Sequence, residues 1–127
     1  MQRDQPLAGC RILVVEDDYF IAEALSDLLE SAGAEVIGPL GSLDHVMAQV
    51  QQDGFEVAVL DINLRGTECY PAADELTRQG VPFVFASAYG NQQIPRRFAG
   101  VRFWTKPYNE RGLVEDVQRL CKGLRPL

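Results

Sequence analysis

Ile12-Leu13-Val14-Val15-Glu16-Asp17-Asp18 sets the frame for the whole chain. Four apolar residues, with β-branching at Ile12, Val14 and Val15, run without a polar break into consecutive carboxylates. A strand with one face in water alternates; an unbroken apolar run marks a strand buried on both faces, as in a parallel sheet covered by helices. The carboxylates then fall at the strand's C-terminal end, where open α/β sheets bind their ligands.

The rest of the chain extends this pattern. Ile21, Leu25, Leu28, Leu29 and Ala32 recur at helical spacing with Glu23, Asp27 and Glu30 opposite, and Gly33 stops the helix. Val36-Ile37-Gly38 begins a second strand, ended near Pro39. Ser42 suits the N-cap of a helix that carries Leu43, Val46, Met47 and Val50 on one face, closed by Gly54. Val57-Ala58-Val59-Leu60 is a third buried strand and runs straight into Asp61. A polar loop over residues 63–68 precedes a short helix with Ala73 and Leu76, ended by Gly80. Phe83-Val84-Phe85-Ala86 is the fourth strand. Between Gly90 and Gly100 a proline, Pro95, leaves no room for an ordinary three-turn helix, so the fourth helix is expected to be short or irregular. Residues 101–104 form the fifth strand, and Asn109 caps a last helix with Leu113, Val114, Val117, Leu120 and Cys121 inward.

Five strand-helix units imply an α/β fold: a five-stranded parallel sheet, doubly wound and flavodoxin-like, with strand order 2-1-3-4-5. The expected organisation is one domain over 1–127, with its core at about 10–122 and no output domain after it. The chain has 127 residues, 46% hydrophobic and 24% charged, with a net charge of −6. That is the make-up of one soluble globular domain. Its charge argues against a nucleic-acid partner, which requires clustered Lys and Arg; the longest basic run is Arg96-Arg97. The apolar runs are too short to span a membrane, and MQRDQPLAG at the N-terminus is no signal peptide. Cys10, Cys69 and Cys121 are widely spaced and show no zinc pattern, so a reducing cytoplasm is the simpler setting, with the cysteines buried or incidental.

Such a sheet would bring four polar endings to one edge: Glu16, Asp17 and Asp18 from strand 1, Asp61 from strand 3, Ser87 from strand 4 and Lys106 from strand 5. Crowded carboxylates repel unless a cation sits among them. Mg²⁺ takes oxygen ligands of this kind together with water and phosphate oxygens. Lys106 offers a point charge and Ser87 a hydroxyl donor, which suits phosphoryl transfer, a reaction of positioning and charge stabilisation.

The segments ILVVEDD, VLDIN, FASA and KP, in this order and spacing, resemble a response-regulator receiver domain over about residues 10–122. The resemblance implies that Asp61 accepts a phosphoryl group from a histidine kinase or histidine phosphotransfer protein. It implies Mg²⁺ held by Glu16, Asp17, Asp61 and the backbone carbonyl of Asn63, with Glu16 acting through water. Lys106 would contact the phosphoryl group and precede a cis peptide bond to Pro107. Ser87 would be the switch hydroxyl and Phe103 the switch aromatic, here without a phenolic hydroxyl. A downstream protein target, autodephosphorylation and a cytoplasmic location complete the implied role, that of a two-component switch rather than an enzyme with a substrate. FVFASAYG, residues 83–90, is similar to the FATGUY motif of a single-domain subgroup, with Ser87 and Ala88 in place of its Thr and Gly.

Two other functions share parts of this pattern. A pseudo-receiver would keep the fold as a binding module without phosphorylation. An aspartyl-phosphate phosphatase would want a second acid where Asn63 stands, and a cap domain. Among single residues, Asp18 reads as a helix cap, His45 as solvent-facing, Trp104 as packing beside strand 5, and Arg96 and Arg97 as a solvated pair.

Overall fold

The computed structural model describes residues 5–88 and 94–123. Its elements run β1 (Arg11–Val15), α1 (Tyr19–Ser31), β2 (Glu35–Leu40), α2 (Leu43–Gln52), β3 (Val57–Leu60), β4 (Asn63–Leu64), β5 (Thr67–Glu68), α3 (Tyr70–Gln79), β6 (Phe83–Ser87), β7 (Phe103–Thr105) and α4 (Glu110–Cys121). The main sheet is ordered β2-β1-β3-β6-β7 and every pairing in it is parallel. With β6 and β7 as its fourth and fifth strands, this is the expected 2-1-3-4-5 sheet.

Period-two alternation divides the core between the two faces of the sheet. Leu13, Val15, Ala58, Leu60, Phe83 and Phe85 pack with α2 and α3 through Val46, Val50, Ala73 and Leu76. Ile12, Val14, Val57, Val59, Val84 and Ala86 pack with α1 and α4 through Leu25, Leu29, Leu113, Val117 and Leu120. The capping side chains behave as their chemistry requires: Asp18, Ser42 and Asn109 accept from the backbone N–H groups of Ile21, His45 and Gly112. Gly80 closes α3 in the left-handed region at φ 76°.

The structure corrects the sequence reading in several places. β2 continues through Pro39 to Leu40, because it is the edge strand and its register against β1 shifts between Leu13 and Val15. Gly38-Pro39 is cis, which the sequence reading does not anticipate, whereas the cis Lys106-Pro107 bond is the one expected. The loop expected over 63–68 contains an antiparallel hairpin, β4–β5, turned by Arg65 and Gly66 at positive φ. The fifth strand of the sheet is Phe103–Thr105, slightly later than expected. The described part of the irregular fourth segment is a 3-10 turn, Arg96–Phe98, after Pro95. Tyr89 and Gly90 of the FATGUY-like stretch lie outside the described residues. The largest correction concerns the cysteines: Cys10 and Cys121 form a disulfide across 111 positions of sequence, with Cα atoms 6.0 Å apart, while Cys69 is free and buried.

Trp104 ties β7 to the last helix. Its Nε1–H donates to Asp116 Oδ2 at 2.8 Å, and its ring lies against Gly112. A Cβ at position 112 would stand 2.8 Å from the Trp104 ring. Gly112→Ala therefore sets a helix-propensity gain of up to about 1 kcal/mol against an overpacking cost of about 1–3 kcal/mol. The cost wins, and a net loss of about 1 kcal/mol is expected in urea denaturation, with altered Trp104 emission. A more stable variant would show that the ring does not occupy this place.

Candidate active site

The parallel ladder fixes the backbone at each candidate residue. Glu16 N–H donates to the carbonyl of Leu40 at 3.0 Å and Asp61 N–H to that of Val15 at 2.9 Å. Lys106 N–H donates to the carbonyl of Ser87 at 2.9 Å. Glu16 and Asp61 thus leave adjacent strands at one edge of the sheet, with Ser87 and Lys106 on the next two.

The side chains converge. Ser87, fully buried, donates its hydroxyl to Asp61 Oδ1 at 2.9 Å, and the Asn63 backbone N–H reaches the same oxygen at 3.3 Å. Lys106 Nζ donates to Asp61 Oδ2 at 3.3 Å and to Glu16 Oε1. The other Glu16 oxygen accepts from the Asp18 backbone N–H at 3.2 Å. Asp17, half-buried, completes a group in which one carboxylate oxygen from each of Glu16, Asp17 and Asp61 lies within 4.8 Å of the others.

Three carboxylates face one ammonium, which leaves two negative charges uncompensated in a partly dry pocket. The strain appears as proton affinity. Burial, with Asp61's charge adding to it and the Lys106 hydrogen bond opposing it, pushes Glu16 up to about 7. Burial acts to lower Lys106, but its hydrogen bond to Glu16 and the charges of Asp61 and Glu16 outweigh that and hold it above the ordinary lysine range. A dication among the three acids would bring the sum to zero, and hard oxygen donors are what Mg²⁺ accepts. The residues present fit such an ion.

The other sequence candidates divide. Asn63 sits two residues past Asp61, its side-chain oxygen occupied by Gly66 N–H at 2.6 Å. Phe103 is half-buried, with its ring centroid 6.4 Å from that of Phe85. Asp18 caps α1 and His45 is exposed. Arg97 is not merely solvated: it pairs with Asp74 at 2.8 Å and stacks on Phe98. Sequence reading missed Asp116, which is 3% exposed and also pairs with Arg102 at 3.3 Å. Its place on the Leu113/Val117/Leu120 stripe was the available signal. It also missed Tyr19 and Phe20, exposed at 70% and 78%, beside an apolar groove of about 530 Å³ lined by Phe20, Ala24, Leu25, Lys106, Pro107 and Tyr108.

Fold and site together define a doubly wound α/β domain with an acidic pocket at its topological switch point. The chain belongs to the response regulator receiver domain family, which matches residues 12–118. Receiver domains are phospho-accepting switches. SdrG from Sphingomonas melonis Fr1 is similar in structure with a TM-score of 0.77 and 32% identity, over 91% of this chain and 97% of that one. The uncharacterized transcriptional regulatory protein YbdJ of Bacillus subtilis is 28% identical over 120 residues, 91% of this chain and 52% of its own length. The chain spans about half the length of the first curated relatives it matches. The receiver domain of sensor histidine kinase PA1611 from Pseudomonas aeruginosa PAO1, solved with a magnesium ion in its active site cleft, shares the fold at a TM-score of 0.77 and 23% identity, over 91% of this chain and 99% of that one. Among the described residues, no helix is long and apolar enough to cross a membrane.

Proposed function

We propose that this chain is a Mg²⁺-dependent phosphorylation switch in which Asp61 accepts a phosphoryl group from the phosphohistidine of a histidine kinase or histidine phosphotransfer protein. The observation that carries this reading is the Asp61 carboxylate itself: one oxygen is held by Ser87 and the Asn63 N–H, the other by Lys106, with Glu16 and Asp17 beside it.

Asp17, Asp61 and the Asn63 carbonyl would hold the ion, with Glu16 reaching it through water. When bound, the ion supplies positive charge against the acids and the incoming phosphoryl oxygens. The chain's own residues do the rest. An Asp61 oxygen attacks phosphorus in line; the O–P bond forms as the P–N bond to the donor imidazole breaks, and the electron pair leaves with that nitrogen. Lys106 shifts its donors from Glu16 to the phosphoryl oxygens. Ser87 gives up Asp61 Oδ1 for the same group, and Phe103 packs inward into the space this opens. The acyl phosphate adds about one to two negative charges at a buried strand end. Its hydrolysis at the same site resets the switch. A protein target that prefers one state shifts the balance by its differential contacts, typically about 1–3 kcal/mol.

The exposed Tyr19 and Phe20 and the groove that reaches Lys106 give a protein donor an apolar rim next to the acceptor. The reaction is assigned to the cytoplasm, where ATP-derived phosphoryl donors are made. The test is a titration with Mg²⁺ and beryllofluoride, followed by Trp104 fluorescence and by amide chemical shifts. A saturable response to beryllofluoride only when Mg²⁺ is present is expected. No response to Mg²⁺ at millimolar concentration would leave a binding module that never takes phosphate.

A further inference from the structure

The Cys10–Cys121 pair lies outside the acidic pocket, and the phosphoryl chemistry makes no use of it. Cys10 immediately precedes β1 and its backbone is fixed on both sides: its N–H donates to Leu7 at 3.0 Å and its carbonyl accepts from Glu35 at 2.9 Å. Leu7, just upstream, is fully buried. Cys121 is the last residue of α4, where Lys122 and Gly123 N–H groups close the helix onto Gln118 and Leu120. The cross-link therefore joins the start of the central sheet to the end of the helix that covers one of its faces. It spans 111 positions, nearly the whole chain.

We propose that Cys10 and Cys121 are a reversible redox-modification site, whose substrates are small or protein thiol–disulfide couples of the glutathione class, and whose oxidation clamps α4 onto the sheet. The two sulfurs differ in access: Cys10 is 5% exposed and Cys121 is half-buried. Exchange therefore starts at Cys121. An external thiolate attacks the Cys121 sulfur, forms a mixed disulfide there and releases the Cys10 thiolate, which takes a proton. A second external thiolate attacks the external sulfur of the mixed disulfide and releases the Cys121 thiolate. In sum two thiols become one external disulfide, and two electrons pass to the protein; oxidation runs the same steps in reverse. Cys69 is fully buried and takes no part.

Oxidation restricts the unfolded chain, and does so more strongly because the closed loop is long. The clamp also acts on the helix that anchors Trp104 through Asp116, hence on the strand that leads to Lys106. In a reducing compartment a disulfide of this kind is transient and responds to redox state. The site stands independently of the phosphorylation reading.

The test equilibrates the full chain in mixtures of reduced and oxidised glutathione, then alkylates in denaturant and weighs it. One alkylation is expected at the oxidising end and three at the reducing end, interconverting reversibly. The melting temperature of the reduced form is expected to be lower by about 10 °C. Cys121→Ser should melt where reduced wild type melts and ignore glutathione. Three alkylations under every condition, or glutathione left on Cys121, would overturn the site. One alkylation in excess reduced glutathione, or an unchanged melting temperature on reduction, would overturn its reversibility or its clamping role.

Discussion

Asp61→Asn is expected to bring phosphoryl incorporation from a phosphohistidine donor below detection, a loss of about a thousandfold or more, equivalent to about 4 kcal/mol of barrier. The reason is electronic, since the shape is almost unchanged. An amide oxygen at this place still accepts from Ser87 and from the Asn63 N–H, as Asp61 Oδ1 does at 2.9 and 3.3 Å. Its lone pairs are delocalised into the amide and carry no negative charge, so attack on phosphorus lacks a nucleophile. The fold should not suffer. The substitution takes one negative charge from a pocket that has two too many, so the metal-free variant should melt at or above the wild-type temperature. Mg²⁺ affinity should fall by about tenfold, or about 1.4 kcal/mol, with one carboxylate ligand gone. Phosphorylation, melting and metal titration on the same preparation separate these effects. An unchanged labelling yield would end the assignment of Asp61.

Most of this site was legible because it is written in strand endings. An apolar run that stops at a carboxylate says where the strand ends and which side chain emerges there, and the parallel order then places those ends side by side. Glu16, Asp61, Ser87 and Lys106 were found in this way, and the side-chain hydrogen bonds among them follow from the shared edge. What stayed hidden depends on contacts between distant parts of the chain. The pairing of Cys10 with Cys121 exists only because the start of β1 and the end of α4 meet on one face of the sheet, and spacing carries no trace of that. Pro39 read as a strand end because a proline breaks a ladder; on an edge strand the break is harmless. The β4–β5 hairpin was masked by polar residues at 63–68, whose strands are too short to show alternation. Asp116 was passed over because its partner lies on another element: it occupies the inward stripe of α4 and answers the indole N–H of Trp104 from β7.

Lys106→Met is expected to act in opposite directions on metal binding and on phosphoryl transfer, which no simple loss of folding can imitate. Lys106 stands against both Glu16 and Asp61, so it competes with a dication for the same acids. At an effective dielectric near 20, a unit charge about 4 Å away is worth about 4 kcal/mol, and screening leaves a part of that. Removing it should tighten Mg²⁺ binding by about tenfold. Transfer should nevertheless slow by about a hundred- to a thousandfold, because the ammonium that would meet the phosphoryl oxygens is gone. The metal-free variant carries a further signature. Stripping the cation from buried acids costs about 3 kcal/mol or more when they stay ionised. Glu16 can avoid part of that by holding a proton, since its folded value is already raised from 4.5 to about 7 and rises further without Lys106. A carboxyl raised in the folded state binds its proton where the unfolded chain has released it, so stability falls as pH rises above about 4.5. In wild type that decline levels off near 7, and in the variant it continues above it. Urea denaturation at pH 5 and pH 8 should therefore show a larger loss for the variant at the higher pH, restored by Mg²⁺. Unchanged or weaker metal binding in the variant would mean that this lysine and the metal do not share a pocket.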